Sequence, residues 1–313
     1  MLDSFVGRAE GGIMTASSSR LGWTAAAALA PAVWGTTYIV TTHLLPDGHP
    51  FFAALMRSLP AGLLALALTR TPPRGSWRWK SLVLGTLNMG AFFPLLFVAA
   101  QHLPGGAAAT LGAVQPIVVA ALAVWILRER LSGWRVLWGL CGIAGIALVV
   151  LRPGAGLDAI GLAAGLGGAA SMAMGVVLVK RWGIPQGVSA MAFAGWQLTA
   201  AGAVLILPAL LIDGVPSDIG MLAVAGYAWL GVIGGLCSYA LWFAGIRRLP
   251  VTSTALLGIL SPLVAAVLGA AFAGEGFSPA QLGGFVVAVA AMTLGQFPPP
   301  RTRDRETARR TAH

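Results

Sequence analysis

Long apolar runs alternate with short polar gaps along nearly the whole chain. A membrane-crossing helix needs about 20 mostly apolar residues. Runs of that kind fall at 21–43, 51–70, 80–101, 105–127, 132–151, 158–180, 187–212, 219–246, 251–273 and 278–297. The gaps carry turn chemistry, as in Pro46-Asp47-Gly48, Pro72-Pro73-Arg74-Gly75 and Arg152-Pro153-Gly154. None of them is long enough for a soluble domain. The pattern predicts an all-α membrane protein with ten transmembrane helices. Arg20 and the Ala-rich run through Ala28-Leu29-Ala30 resemble a cleaved leader. The apolar run continues past Trp34 and Tyr38 to Leu45, however, so an uncleaved first helix is expected.

Composition agrees with this pattern. The chain is 57% hydrophobic and 10% charged, against about 25% charged in a soluble domain. Its two cysteines, Cys141 and Cys237, lie inside apolar runs, which rules out a disulfide scaffold. A net charge of +10 would suggest nucleic acid in a soluble protein, but no basic face alternates with aromatic residues, and no nucleic-acid partner is expected.

The basic residues are better read as setting orientation, because Lys and Arg concentrate in cytoplasmic loops. With the N-terminus inside, the inner gaps and ends hold Arg8, Arg20, Arg70, Arg74, Arg78, Lys80, Arg128, Arg130, Arg135, Lys180, Arg181, Arg247, Arg248 and five arginines after Pro300. The outer gaps hold only Arg152, and Arg57 lies within a helix. Both termini are therefore expected in the cytoplasm: residues 1–20 as a short leading segment, and 298–313 as a disordered basic tail.

The chain also repeats itself. Sliding Gly85–Ser132 onto Gly231–Ser278, a shift of 146 residues, gives 14 identities in 48 positions without a gap. They include Phe97/Phe243, Leu103-Pro104/Leu249-Pro250, Leu111-Gly112/Leu257-Gly258, Pro116/Pro262, Glu129/Glu275 and Ser132/Ser278. Each half, 21–151 and 158–297, has five predicted helices. An odd number makes the second half enter the membrane from the opposite side, so the repeats are inverted. Inverted repeats around a midplane site are a recurring transporter architecture, because the halves can exchange conformations and alternate access.

The repeated pattern runs A-x-x-x-L-P, then a mid-helix proline, an acidic residue, a serine and a Gly/Ala-rich helix. It resembles the EamA-type repeat of the drug/metabolite transporter superfamily, with copies at Ala99–Val150 and Gly245–Gln296. Trp34-Gly35 and Arg57 fit the family's usual opening. The resemblance implies a ten-helix carrier with a central cavity between its halves, commonly an exporter of amino acids or related metabolites. The related small multidrug resistance proteins use a first-helix glutamate for proton coupling. Residues 21–45 contain no carboxylate, so that mechanism does not carry over. Gradient-driven facilitation, or coupling through an unidentified site, is expected instead.

Several residues are candidates for the site. Pro116 and Pro262 cannot donate to the carbonyls of Gly112 and Gly258, which predicts two kinked helices, each exposing an unpaired acceptor to a cavity. Gln115 and Ser261, just before the prolines, would share that cavity. Arg57 is costly at membrane depth. The simpler expectation is that it snorkels to the outer interface or bonds backbone carbonyls; the functional one is attraction of a substrate carboxylate. Trp34, Tyr38, Trp196, Tyr239 and Trp242 are mid-span candidates for an apolar or aromatic substrate, with Asn88 and Gln197 orienting polar groups. Trp23, Trp77 and Trp79 read as interface anchors. Glu129 and Glu275 end matched helices, as ordinary helix ends or as gate residues. Gly161, Gly165, Gly168, Gly231 and Gly235 have small-residue spacing that reads as helix packing.

Enzyme chemistry has little support. His43, His49, His102 and His313 are not in ligand spacing, and there is no phosphate loop or Gly-Lys-Ser/Thr. No metal or cofactor is expected. A pore would need a continuous polar lining that these Gly/Ala-rich helices lack. The expected function is secondary transport across the inner membrane, most simply export of amino acids, including aromatic ones. A non-transporting scaffold or a membrane-embedded enzyme is the alternative.

Overall fold

The computed structural model describes residues 21–102, 111–112, 114–130, 132–150, 158–273, 278–295 and 297; the side chain of Tyr38 and all of Glu275 lie outside them. The described residues are helical, with no strand among them. In chain order they form α1 (21–35, then Thr37–Leu44), α2 (Pro50–Thr69), α3 (Trp77–Gly85, continuing through Phe92–His102), α4 (Gln115–Leu127) and α5 (Gly133–Val150). Then follow α6 (Ala159–Trp182), α7 (Ala190–Pro208), α8 (Met221–Ala228, continuing through Ser238–Arg248), α9 (Val251–Leu257, then Leu260–Ala273) and α10 (Pro279–Leu294). Six of the segments, in α2, α3 and α6–α9, are long and apolar enough to cross a membrane, while α4, α5 and α10 are apolar but shorter.

Local chemistry fixes the helix ends. Asp158 accepts the backbone N–H of Ile160 and caps α6 from outside the helix. Its carboxylate also meets Nδ1 of His102 at 2.5 Å, tying the end of α3 to the start of α6. The Ile160 bond first and the His102 contact second hold that carboxyl below its ordinary value. Ser278 and Gln281 form a capping box on α10. The start of α2 has no side-chain cap of its own, and Asp213 at the end of α7 accepts from Phe52 N at 2.9 Å instead.

Three rods depart from the regular helices that hydrophobic periodicity predicts. In α3 the backbone widens to a π-helix over Thr86–Gly90, and in α8 over Trp229–Cys237; a third such stretch, Ala209–Asp213, ends α7. The first two correspond under the 146-residue shift. Widened turns alter backbone hydrogen bonding locally and recur at functional sites.

The prolines do not kink continuous helices. Pro116 falls in the first turn of α4 and Pro262 in the first turn of the second part of α9, where a missing N–H removes no helical bond. The helices are broken before them, at Val114 and at Gly258-Ile259. The expectation of an unpaired Gly258 carbonyl is corrected by the same break, since that oxygen accepts from Ser261 N at 3.1 Å.

The bulkiest fully buried side chains of the core are aromatic. Leu84, Met89 and Phe93 of α3, Phe193 and Leu198 of α7, and Tyr239, Trp242 and Phe243 of α8 are fully enclosed or nearly so. Outward, Trp125, Leu211 and Met221 are about four-fifths exposed, a surface stable only in an apolar solvent. Basic residues near the expected inner ends lie over aromatic rings: Arg248 is 3.7 Å from the Trp23 ring, and Lys80 lies 5.0 Å from that of Trp77. Lys180 donates to the carbonyls of Ile246 and Leu249, both at 2.9 Å, and completes the end of α8.

Candidate functional site

A cavity of about 100 Å³ lies among α1, α2, α3, α4, α6, α8 and α9. Its aromatic side is built on Trp34, whose ring centroid is 4.9 Å from that of Tyr239 and 5.2 Å from that of Trp242. The π-helical stretch of α8 positions this cluster. The Gly234 carbonyl within it accepts from Trp34 Nε1 at 2.9 Å and from Arg57 Nη2 at 3.4 Å. The matching stretch of α3 presents the Asn88 carbonyl to the Tyr239 hydroxyl at 3.4 Å and the Leu87 carbonyl to Ser171 at 2.8 Å. Each widened turn is thus engaged by side chains of the opposite repeat or of a helix across the cavity.

Arg57 is 3% exposed and lines the cavity. The expectation that it snorkels is therefore corrected. Its guanidinium lies 4.4 Å from the Phe93 ring centroid and donates to Thr37 Oγ1 at 3.3 Å as well as to Gly234. Flat stacking and a forked donor set suit arginine and not lysine. The bond to a backbone carbonyl and a place in the cavity wall occur together.

The polar wall comes from the two helix breaks. Gly112 and Gln115 line it from one repeat, and Gly258, Ser261 and Pro262 from the other. Gly35 lets α1 approach this point, since a Cβ there would lie 2.7 Å from the Ser261 carbonyl oxygen. Pro116 is buried behind the wall, outside the lining.

Asn88, Gln197 and Trp196 do not reach the cavity lining. Asn88 Nδ2 donates to Gln197 Oε1 at 2.7 Å, and both residues are fully buried. This bond ties α3 to α7 away from the cavity and leaves Asn88 Oδ1 without a hydrogen-bond partner among the described residues. Trp196 donates to the Thr71 carbonyl at 2.5 Å, and its ring packs near Trp77 and Phe193. Glu129 lies beyond the far end of α4, in a shallow cleft with Arg135 and Thr252, whose side chains are bonded at 3.0 Å.

Thr37, Phe92, Phe93, Leu96, Ala99, Ala169 and Met172 of the lining were not among the candidates the sequence offered. A signal for two of them was available. The 146-residue shift carries Phe93 onto Tyr239 and Leu96 onto Trp242, so candidates found in one repeat point to their partners in the other. Gly165 and Gly168, expected only to pack helices, also line the cavity. Among the described residues no three His, Cys, Asp or Glu come together as a metal site.

A model of the EamA-like transporter family matches the chain twice, over residues 21–151 and 159–294. The chain belongs to that family. It is a membrane transporter and not an enzyme. It is 42% identical to Protein PecM of Dickeya dadantii (strain 3937) over 267 residues, covering 85% of this chain and 90% of that one. It is 30% identical to the uncharacterized inner membrane transporter YedA of Escherichia coli (strain K12) over 282 residues, 85% of this chain and 88% of the relative. A crystal structure with 20% identity superposes with a TM-score of 0.72 over 88% of this chain and 98% of its own, and so shares its fold. The two family matches leave out 152–158, the gap that holds Arg152 and the α6 cap.

Proposed function

We propose that the chain is a secondary carrier of small metabolites in the inner membrane, working by alternating access and exporting amino acids, aromatic ones among them, or related compounds. The observation that supports this best is the pairing of cavity positions between repeats: Phe93 with Tyr239, Leu96 with Trp242, Gly112 with Gly258 and Gln115 with Ser261. Related walls can exchange shapes, opening the same pocket to either side in turn. The aromatic cluster on Trp34 suits a flat apolar group, and Arg57 suits a carboxylate. Ten spans complete the reading, as two five-helix halves of opposite sense with both termini in the cytoplasm. The distribution of basic residues supports that topology, and the description of YedA as an inner membrane transporter supports the location.

Counterflow of labelled amino acids into proteoliposomes tests this reading. Exchange of at least one amino acid is expected, driven by its own gradient. Absence of exchange across a broad panel would overturn the substrate assignment. The Pro116→Ala, Pro262→Ala double variant should fold normally, because a first-turn proline contributes no hydrogen bond to the helix. Its exchange should fall about tenfold as the breaks lose their fixed geometry. Undiminished exchange would remove the breaks from the mechanism.

A further inference from the structure

Two side chains in the cavity wall end in N–H groups that make no hydrogen bond among the described residues. They are the indole Nε1 of Trp242, a residue 1% exposed, and the buried carboxamide Nε2 of Gln115. Buried polar groups are ordinarily paired, and a donor left unpaired is costly. Neighbouring donors of the wall are already engaged: Trp34 Nε1 by Gly234, and the Tyr239 hydroxyl by Asn88. The Gln115 Oε1 and the Ser261 hydroxyl add acceptors to the same wall, and the unpaired donors come from both repeats.

Charge points the same way. Arg57 is the only charged residue in the described lining, and no Asp or Glu joins it. Two of its bonds, to Thr37 and Gly234 at 3.3 and 3.4 Å, are longer than the roughly 2.7–3.2 Å of ordinary N–H···O bonds. A carboxylate would receive shorter, charge-assisted bonds from the same group. An ammonium group would meet a guanidinium and find no anion.

We propose that this cavity recognises its substrate through a carboxylate or equivalent oxyanion, received by the Trp242 N–H and the Gln115 carboxamide beside Arg57, and offers an amino group no anion among the described lining residues. The inference rests on the cavity being the transport site proposed above, and it narrows the substrate class. Compounds that keep the carboxylate and lose the amine, such as 2-oxo acids, bind at least as well as the matching amino acids. Amines that lack the carboxylate do not bind.

Thermal protection of the purified full-length carrier by matched probes tests this, since a ligand bound to the folded state raises apparent stability. One set is phenylpyruvate, phenylalanine and phenethylamine; the other is 4-methyl-2-oxopentanoate, leucine and isoamylamine. The oxo acids should protect and the amines should not. Trp242→Phe keeps the ring and removes the N–H, and Gln115→Met keeps the length and removes the amide. Each variant should raise the half-protecting concentration of the oxo acids about tenfold or more, the scale of a lost hydrogen bond to a charged group. Each variant's protection is read against its own unliganded melting temperature, since the smaller ring of Trp242→Phe leaves space in the core. Should one variant fold poorly, the other carries the comparison, and the wild-type ranking of probes stands by itself. Protection by the oxo acids without protection or exchange of the amino acids would support the inference and remove the amino-acid assignment. Protection by the amines, protection by none of the six, or variants that bind oxo acids as tightly as the native chain would overturn it.

Discussion

Replacing Arg57 by lysine should cut exchange by at least about tenfold while leaving a folded carrier, and replacing it by methionine should cut it further. A central arginine is unfavourable by about 2.5–3.5 kcal/mol on insertion scales, and a buried cation is weak evidence for stability in general. Arg57 nonetheless lies almost wholly enclosed, with its charge over the Phe93 ring and its donors on Thr37 and Gly234. These contacts gather α1, α2, α3 and α8 around the cavity. Lysine keeps the charge and loses both the flat stacking and the fork. Methionine keeps the approximate length, removes the charge and eases insertion.

Initial rates in proteoliposomes, set beside the melting temperature in detergent, separate function from folding. Slow exchange with near-normal melting in Arg57→Lys is the expected pair of results. Exchange within twofold of the native rate in both variants would remove Arg57 from the transport site. A collapse of melting in Arg57→Lys, with exchange per folded molecule unchanged, would make the residue purely structural.

The sequence carried the helical rods and the repeat clearly, because hydrophobicity in a lipid solvent is a strong constraint on runs of about 20 residues. Trp34, Tyr239, Trp242, Gln115 and Ser261 were legible as cavity candidates because polar or amphipathic groups at membrane depth need a protein or wet environment. Asn88 and Gln197 obeyed the same rule but bond each other away from the cavity, a pairing across 109 residues that no local pattern encodes. The widened turns of α3 and α8 were not legible. Their sequences are ordinary apolar helix, and the altered backbone becomes visible only through what its carbonyls receive. The proline breaks were half-legible: Pro marks the position, but only packing decides between a kink and a new helix start.

Gly62→Val should lower the melting temperature by about 5–10 °C, the scale of roughly 2–3 kcal/mol of overpacking. A Cβ at Gly62 would lie 2.6 Å from Thr199 Oγ1 and 2.8 Å from the Leu198 carbonyl carbon. Backbone stands on both sides of that contact, so no rotamer change relieves it. The crossing is reciprocal: a Cβ at Gly202 of α7 would lie 2.5 Å from Leu59 Cβ and 2.7 Å from Leu59 Cα. A shift of 140 residues carries Gly62 onto Gly202 and Leu59 onto Thr199, so the two contacts are images of each other, as expected where equivalent helices of two repeats cross at a pseudo-two-fold axis. Small residues are what allow backbones to approach this closely within a membrane. Gly202→Val should therefore destabilise by a similar amount. Gly269→Val, where nothing lies within 4 Å of the added Cβ, should melt within a degree or two of the native chain. An unchanged melting temperature in Gly62→Val, or an equal drop in Gly269→Val, would show that the α2–α7 crossing is not a tight junction.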